Sequence, residues 1–534
     1  MKSFSRAAAA AYLLLAGVFA VYYWSHVDYF GDDWILLPLF RRAAEGGAAG
    51  VAELAVRAAQ NRIYEVFRMQ WLSILWGLAV TWAGGYAVHF NFALLLLLHA
   101  ANAWLLCQGL VRLGADRGFA FVAGALMVVL PTTRFVLFTY FTNPFFVFCT
   151  FWVLLMLWWW AGAPERRAWA LGPLAVAGMF AGEQAFVLLA AIVPLAAWTR
   201  PEWRRAAAKA TAVVWGSMAV ALAVYLGAVN RMPPVEGSRY RWAWHVLREN
   251  LSLIGQEWWR LTGLPPDAPF RLQPSPADFL AATLAAAVVW FLARGWMDDG
   301  IGARRLAALA VLGLIAAYAP TLWVFGGFAL RYHYVSSPFL AVLLAAGCRA
   351  LGRRAAPGLA AFLVGFFLLT AACDLRQCWI PASVHHRTFR AELERMHDLQ
   401  PGDTLVATGA PFEIGTAQHF SLHSADTATP FAEWITGVRP LHVALGLAEH
   451  RGHLVLFLKM DHWRQIADAD LPRTRVLVYN QQSVFEHPEW LARRLGGGRF
   501  RLLPLKGAAD PGGMAGAVVT REQVAMLGRR AWVP

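Results

Sequence analysis

The stretch FNFALLLLLHAANAWLL, Phe90 to Leu106, decides the fold class of this chain. With the apolar residues around it, this stretch approaches the roughly 20 residues that a helix needs to cross a bilayer. It also carries Asn91, His99 and Asn102, which lie roughly on one helical face. Polar residues in such a helix usually face other helices, where they line a pathway or make interhelical hydrogen bonds. The stretch therefore predicts a membrane span inside a bundle.

The composition extends this prediction to most of the chain. Of the 534 residues, 58% are hydrophobic and 15% are charged, whereas soluble domains carry about 25% charged residues. The net charge of +14 comes from short basic clusters between apolar runs, which is typical of cytoplasmic loops. These clusters argue against nucleic acid as a partner and favour a polytopic α-helical membrane protein.

About eleven spans are predicted from the apolar runs. Their ranges are 7–24, 89–111, 118–137, 144–161, 168–182, 185–199, 210–229, 277–294, 306–326, 335–350 and 357–373. The run Trp71 to Trp82 is too short to span comfortably and is predicted to lie on the outer surface as an amphipathic helix. With a cytoplasmic N-terminus, this odd count places the C-terminal part outside the cytoplasm. We expect a multi-pass protein of a bacterial inner membrane.

Two domains are predicted. The first, residues 1–380, holds the spans and a long outer loop over residues 25–88. In the second, residues 381–534, apolar runs shorten to the length of buried strands, as in Thr404–Thr408, Leu454–Lys459 and Arg475–Tyr479. Helical stretches such as Thr388–Asp398 alternate with them, so we expect a small α/β domain outside the membrane.

The segment Asp28-Tyr29-Phe30-Gly31-Asp32-Asp33-Trp34 directly follows the first predicted span. Three carboxylates within six residues are costly to desolvate at a membrane edge. Their mutual repulsion raises a carboxyl pKa, which suits a general base. The alternative is a solvated loop that only marks the end of the helix.

The order of these features resembles the C-type (GT-C) glycosyltransferases, which include the protein O-mannosyltransferases and the aminoarabinose transferases that modify lipid A. Asp32 and Asp33 stand where the family has an acidic pair after span one. Arg68-Met69 stands at the family's Arg-Pro step, and Phe90–Leu106 is similar to its second span.

Three later segments extend the resemblance over about residues 1–380. Pro131 stands where a proline ends the third span, and GEQAFVLLAAIVP (Gly182 to Pro194) keeps Glu183 of a Lys-Glu motif. RYHYVSSPF (Arg331 to Phe339) is similar to an Arg-Tyr-x-Tyr-x-x-Ser segment. One departure is the stretch Thr132 to Phe145, which offers Arg134 and Asn143 but lacks the second carboxylate of many members.

The resemblance implies inverting transfer of a sugar from a polyprenyl-phosphate donor to an acceptor hydroxyl. It implies Asp32 as the general base and Asp33 as its support. The leaving phosphate needs a cation, for which Arg331 is the first candidate and Arg68 and Arg134 are the next. Each of these arginines can equally be a snorkelling residue at the membrane interface. The polar residues Glu183, His99 and Asn102 complete the candidate site.

No metal or other cofactor is expected, although an acidic pair could hold a divalent ion. The histidines of the C-terminal part, including His385-His386, lack the spacing of a metal site. Membrane lipid is an expected partner, and the acceptor glycan, lipid or protein is left open.

Two other classes remain as alternatives. A non-catalytic transporter or scaffold of envelope polysaccharide assembly would need paired broken spans in two related halves. A polymerase or ligase of lipid-linked glycans would use the arginines but would not need the acidic pair beside span one.

Overall fold

The computed structural model describes most of the chain. The described ranges are 2–29, 33–60, 69–139, 141–229, 243–260, 273–297, 303–323, 330–397, 399–408, 413–414, 417–418, 425–444, 446–450, 453–459, 462–465, 473–478 and 500–502.

The α-helices of these ranges are, in chain order, α1 (Lys2–Tyr23), α2 (Asp33–Glu45), α3 (Gly47–Ala59), α4 (Trp71–Ala83), α5 (Val88–Arg112), α6 (Arg117–Val129), α7 (Pro131–Thr139), α8 (Phe145–Ala161), α9 (Leu171–Ala181), α10 (Phe186–Thr199), α11 (Arg204–Val229), α12 (Trp244–Arg260), α13 (Pro276–Trp296), α14 (Ala303–Tyr318), α15 (His333–Ala350), α16 (Ala356–Asp374), α17 (Ile380–Glu394) and α18 (Ala425–Thr436). A π-helical turn, Leu375–Trp379, joins α16 to α17.

The protein is a multi-pass helical membrane protein, as predicted. Six helical runs of the described part are long and apolar enough to cross a bilayer: Lys2–His26, Val88–Arg112, Pro201–Ala228, Pro276–Trp296, Ala303–Trp323 and Ala356–Glu394. If α6 and α7 form one bent span, the number of candidate spans rises to seven. The described part also contains four shorter apolar helical runs: Trp71–Ala83, Phe145–Ala161, Leu171–Ala181 and Glu183–Thr199. Helix length alone therefore supports fewer spans than the eleven predicted.

The predicted span over 118–137 corresponds to two helices that meet at a bend. Helix α6 ends at Val129, α7 begins at Pro131, and the two axes differ by 50°. Proline has no N–H to donate to the preceding turn, and its ring clashes with that turn. The chain therefore bends at Leu130, which adopts an extended ψ of 136°.

Local sequence explains where two of the helices begin. Asp116 accepts a hydrogen bond from the backbone N–H of Phe119 and so caps α6. Ser275 and Asp278 form a reciprocal capping box at the start of α13, with Pro276 at the first helical position. Both arrangements satisfy N–H groups that the first turn leaves free.

The described residues form two compact units. The first comprises Met1–Trp24, Arg42–Pro266 and Leu272–Cys373. The second comprises the described parts of Ser25–Arg41 and of Asp374–Pro534. The segment after α1, which includes Asp28, thus belongs to the same unit as the C-terminal part of the chain.

In the first unit, α5 packs against α1, α6 and α8. Gly124 permits a close approach there, because a Cβ on it would lie 2.4 Å from the Tyr12 hydroxyl and 2.9 Å from the Ala103 carbonyl oxygen. The Tyr12 hydroxyl donates to the Phe121 carbonyl at 3.0 Å. The predicted polar face of α5 is buried, since Asn91, His99 and Asn102 are all inaccessible to solvent or nearly so.

The described strands all lie in the second unit: β1 (Thr404–Thr408), β2 (Glu413–Ile414), β3 (Ala417–Gln418), β4 (His442–Ala444), β5 (Gly446–His450), β6 (His453–Lys459), β7 (His462–Gln465), β8 (Thr474–Val478) and β9 (Phe500–Leu502). Four of them form a parallel sheet in the order β4-β1-β8-β9. Strands β5, β6 and β7 form an antiparallel sheet, and β2 pairs with β3. Helix α18 lies between β1 and β4 in the chain and packs against β4.

Candidate functional site

The acidic segment that follows α1 is buried in the second unit where it is described. Asp28 is 6% exposed, and Asp33 is 1% exposed at the first position of α2. A carboxylate in the first turn of a helix is stabilised by the helix dipole, so Asp33 supports α2 as well as being a candidate site residue. Asp32, the predicted base, lies outside the described residues.

Asp28 is paired with a histidine from α17. Its Oδ2 atom lies 2.7 Å from Nδ1 of His386, and its Oδ1 atom accepts from the backbone N–H of Tyr29 at 2.9 Å. His386 is fully buried. Its ring stacks on Trp34, with centroids 5.6 Å apart and planes 25° apart, and packs against Phe431 at 4.7 Å.

This pairing keeps Asp28 ionised. Burial raises the pKa of the Asp28 carboxyl, but the charge and hydrogen bond of His386, the Tyr29 N–H and the charge of Arg390 together bring it below its usual value. Burial also raises the pKa of the Tyr29 phenol, and the negative charges of Asp33 and Asp28 raise it further. Both carboxylates therefore act on Tyr29, which stays protonated at neutral pH.

The three predicted phosphate-binding arginines differ in their surroundings. Arg68 lies outside the described residues. Arg331 is half-buried in the 3₁₀ turn before α15, with its guanidinium 5.4 Å from the centre of the Tyr332 ring. Arg134 is buried on α7, where it donates to the Phe367 carbonyl at 2.5 Å and to the Thr370 hydroxyl at 2.6 Å. Arg134 thus holds α7 against α16, a structural role that the sequence did not predict.

His99 joins three helices of the first unit. Its Nε2 atom lies 3.1 Å from the carbonyl oxygen of Val128 on α6, and its Nδ1 atom lies 2.6 Å from the hydroxyl of Tyr334 on α15. A carbonyl only accepts hydrogen bonds, so Nε2 carries the proton, and in the neutral ring Nδ1 accepts from Tyr334. Asn102 makes a similar contact, donating to the Val147 carbonyl of α8 at 2.9 Å. His99 and Asn102 therefore make interhelical hydrogen bonds, which is one of the two roles that the sequence predicts for polar residues in this helix.

Glu183 lies at the break between α9 and α10. Its carboxylate accepts from the backbone N–H of Met69 at 3.2 Å. The neighbouring Gln70 is buried and accepts through its side-chain oxygen from the Asn143 amide at 3.1 Å. The start of α4, the loop before α8 and the break before α10 therefore meet through carboxamide and carboxylate groups.

His386 is a residue of this site that the sequence alone does not reveal. The adjacent His385-His386 pair is visible in the sequence, but it predicts nothing without a partner at suitable spacing. Within the described ranges, no three His, Cys, Asp or Glu side chains lie together in a way that could hold a metal ion.

No protein-family model matches the chain, and no curated protein matches it.

Proposed function

We propose that the protein is a membrane glycosyltransferase that moves a sugar from a polyprenyl-phosphate donor to an acceptor hydroxyl. The acceptor oxygen forms a bond to the anomeric carbon, and the bond from that carbon to the phosphate oxygen breaks. The hydroxyl proton passes to a carboxylate, and polyprenyl phosphate leaves. A single displacement of this kind inverts the anomeric configuration.

The observation that carries the proposal is the burial of two carboxylates in the segment Asp28–Trp34, directly after the first membrane helix. Burying a carboxylate is costly, and such residues are concentrated at functional sites. The order of motifs in residues 1–380 supports the same activity.

The base is assigned to Asp32, with Asp33 in support. Asp28 is the weaker candidate, because its lowered pKa makes its carboxylate a poorer proton acceptor. Arg331 is assigned to the leaving phosphate, since a guanidinium binds two phosphate oxygens together. Arg134 is set aside for this role because it donates to α16.

The finer topology is part of the proposal. We place the protein in a bacterial inner membrane with about eleven spans, of which the shorter apolar helices α8, α9 and α10 supply some. The basic clusters then face the cytoplasm. An α/β domain over 381–534, with its parallel sheet β4-β1-β8-β9, lies on the outer face together with the acidic segment.

The activity is tested with membranes that contain the full chain and a panel of radiolabelled polyprenyl-phosphate sugars. Transfer above that of membranes without the protein is expected for one donor, with inverted configuration in the product. Retention of configuration would contradict the single displacement, and no transfer from any donor would favour a transporter or scaffold.

A further inference from the structure

The acidic segment contacts α17 through one charge-assisted hydrogen bond and through stacked aromatic rings. Asp28 accepts from Nδ1 of His386 at 2.7 Å. The rings of Trp34 and Phe431 lie against the His386 ring on α17 and against each other, with a Trp34–Phe431 centroid distance of 4.4 Å. These four side chains, with Asp28 slightly exposed and the other three at most 1% exposed, form the latch.

Two further contacts extend the attachment on both sides of the latch. The Arg387 guanidinium donates to the backbone carbonyl of Ser25 at 2.6 Å. The Arg41 guanidinium lies over the Trp434 ring of α18 at 5.2 Å from its centre. Within the segment, the Trp34 indole N–H donates to the Tyr29 carbonyl at 3.0 Å. Contacts at Ser25, Asp28, Trp34 and Arg41 therefore hold the acidic segment and the residues on either side of it.

Asp32 and Asp33 lie in the sequence between the two latch residues Asp28 and Trp34. Fixing a backbone residue in one conformation costs about 1–2 kcal/mol. The contacts of the latch offset part of this conformational entropy cost for the acidic segment before substrate binds. Pre-organisation of a reacting group is a main source of rate acceleration, and small displacements of such a group are costly.

We propose that His386 is a positioning residue for sugar transfer: it holds the acidic segment against α17, so that the C-terminal part of the chain sets the place of the carboxylates. This inference rests on the proposed function. His386 is fully buried behind Trp34 and Phe431, so it acts through Asp28 and not on the substrate.

Two substitutions separate the hydrogen bond from the ring. His386→Phe keeps an aromatic ring against Trp34 and Phe431 but removes the Nδ1–H that Asp28 accepts. His386→Asn keeps a donor close to the position of Nδ1 but removes the ring. His397→Asn is the matched control, because His397 is exposed in the turn after α17.

The first measurement is hydrogen exchange of the peptides that cover residues 25–41 in the purified full-length protein. We expect exchange in His386→Phe to be at least tenfold faster than in wild type, with His386→Asn between the two and the control unchanged. Unchanged exchange in His386→Phe would overturn the latch. This measurement needs no turnover, so it stands apart from the question of activity.

The second measurement is the kinetics of transfer with the donor that wild type uses. His386→Phe is expected to lower kcat at least tenfold with KM for the donor unchanged, and His386→Asn is expected to recover part of the loss. Faster exchange with unchanged kcat would overturn the positioning role. Absence of transfer by wild type would instead contradict the proposed function.

Discussion

Oδ2 of Asp28 lies 2.7 Å from Nδ1 of His386, although 358 residues separate them in the chain. Both side chains are buried, so the bond is shielded from water and from salt. It connects the residues directly after the first membrane helix to a helix near the start of the C-terminal part. The Asp28 carboxylate is thereby tied to a helix of the unit that also contains the parallel sheet.

The pairing predicts a pH dependence of stability. The pKa of Asp28 is lower in the folded protein than its ordinary value of about 4, so folding favours the ionised carboxylate. Its contribution is fully present above that ordinary value and is lost as the pH falls through the lower folded pKa. Asp28→Asn is expected to cost about 1–3 kcal/mol at pH 7.

The measurement is thermal unfolding of the purified full-length protein between pH 7 and pH 3. The difference between wild type and Asp28→Asn is expected to narrow progressively as the pH falls below about 4. Glu394→Gln is the control, because Glu394 makes only an exposed ion pair with Arg390. A difference that stays the same down to pH 3 would show that Asp28 is not held ionised by its surroundings.

The bend at Pro131 predicts a structural role for His99. Helix α6 ends at Val129, so the Val128 carbonyl is one of the last four that a helix leaves without an intrahelical donor, and Nε2 of His99 donates to it. His99→Leu leaves this buried carbonyl and the Tyr334 hydroxyl without the imidazole, at a cost of about 1–3 kcal/mol for each acceptor or donor left unsatisfied.

Thermal stability in detergent checks this role, with Leu97→Ala as the control two residues away. Leu97 is half exposed on the same helix, so its truncation leaves the interhelical bonds intact. Equal stability of His99→Leu and wild type would return His99 to the list of candidate pathway residues.

Substitution of Arg134 is expected to lower stability, whereas substitution of Arg331 is expected to weaken donor binding. Arg134→Met removes donors to Phe367 and Thr370 of α16, so it lowers the stability of the protein by about 1–3 kcal/mol. Arg331→Gln is expected to raise KM for the donor about tenfold, because a charge-assisted bond to phosphate is worth about 1.5–3 kcal/mol. Thermal unfolding and donor titration of both variants separate the two effects. The opposite pattern would exchange the two assignments.

Gly124 and Gly216 are predicted to respond to the same substitution with opposite signs. A Cβ at Gly124 meets the Tyr12 hydroxyl at 2.4 Å, whereas a Cβ at Gly216 meets nothing within 4 Å. Gly124→Ala is therefore expected to cost about 1–3 kcal/mol, while Gly216→Ala gains up to about 1 kcal/mol from helix propensity. Melting temperatures of the two variants check this, and a stable Gly124→Ala would show that α1 and α6 lie farther apart.

Several of the long apolar helices could be predicted from the sequence because each depends on local hydrophobicity. The predicted span 89–111 differs from α5 by one residue at each end. The predicted span 277–294 differs from α13 by one residue at its start and by two residues at its end. The bend at Leu130 was missed although Pro131 was noticed, because a proline inside an apolar run either kinks a helix or ends it. The strands at 404–408 and 454–459 were also found from their apolar runs.

The contacts of the candidate site could not be predicted in the same way. No local pattern joins Asp28 to His386 or Arg134 to the backbone of Phe367. Such pairs depend on how distant helices pack, which a single sequence does not encode in its periodicity. The spacing of Asn91, His99 and Asn102 did predict a shared buried face, because a helix repeats every 3.6 residues. Their partners on α4, α6, α15 and α8 became known only from the structure.

The most direct test of the central claim compares sugar transfer by wild type, Asp32→Asn and Glu394→Gln in membranes supplied with radiolabelled polyprenyl-phosphate sugars. If Asp32 is the base, transfer by Asp32→Asn falls by at least about 100-fold at equal expression, and Glu394→Gln transfers as well as wild type. Transfer by Asp32→Asn at the wild-type rate would contradict the assignment of Asp32 as the base and move that role to Asp33.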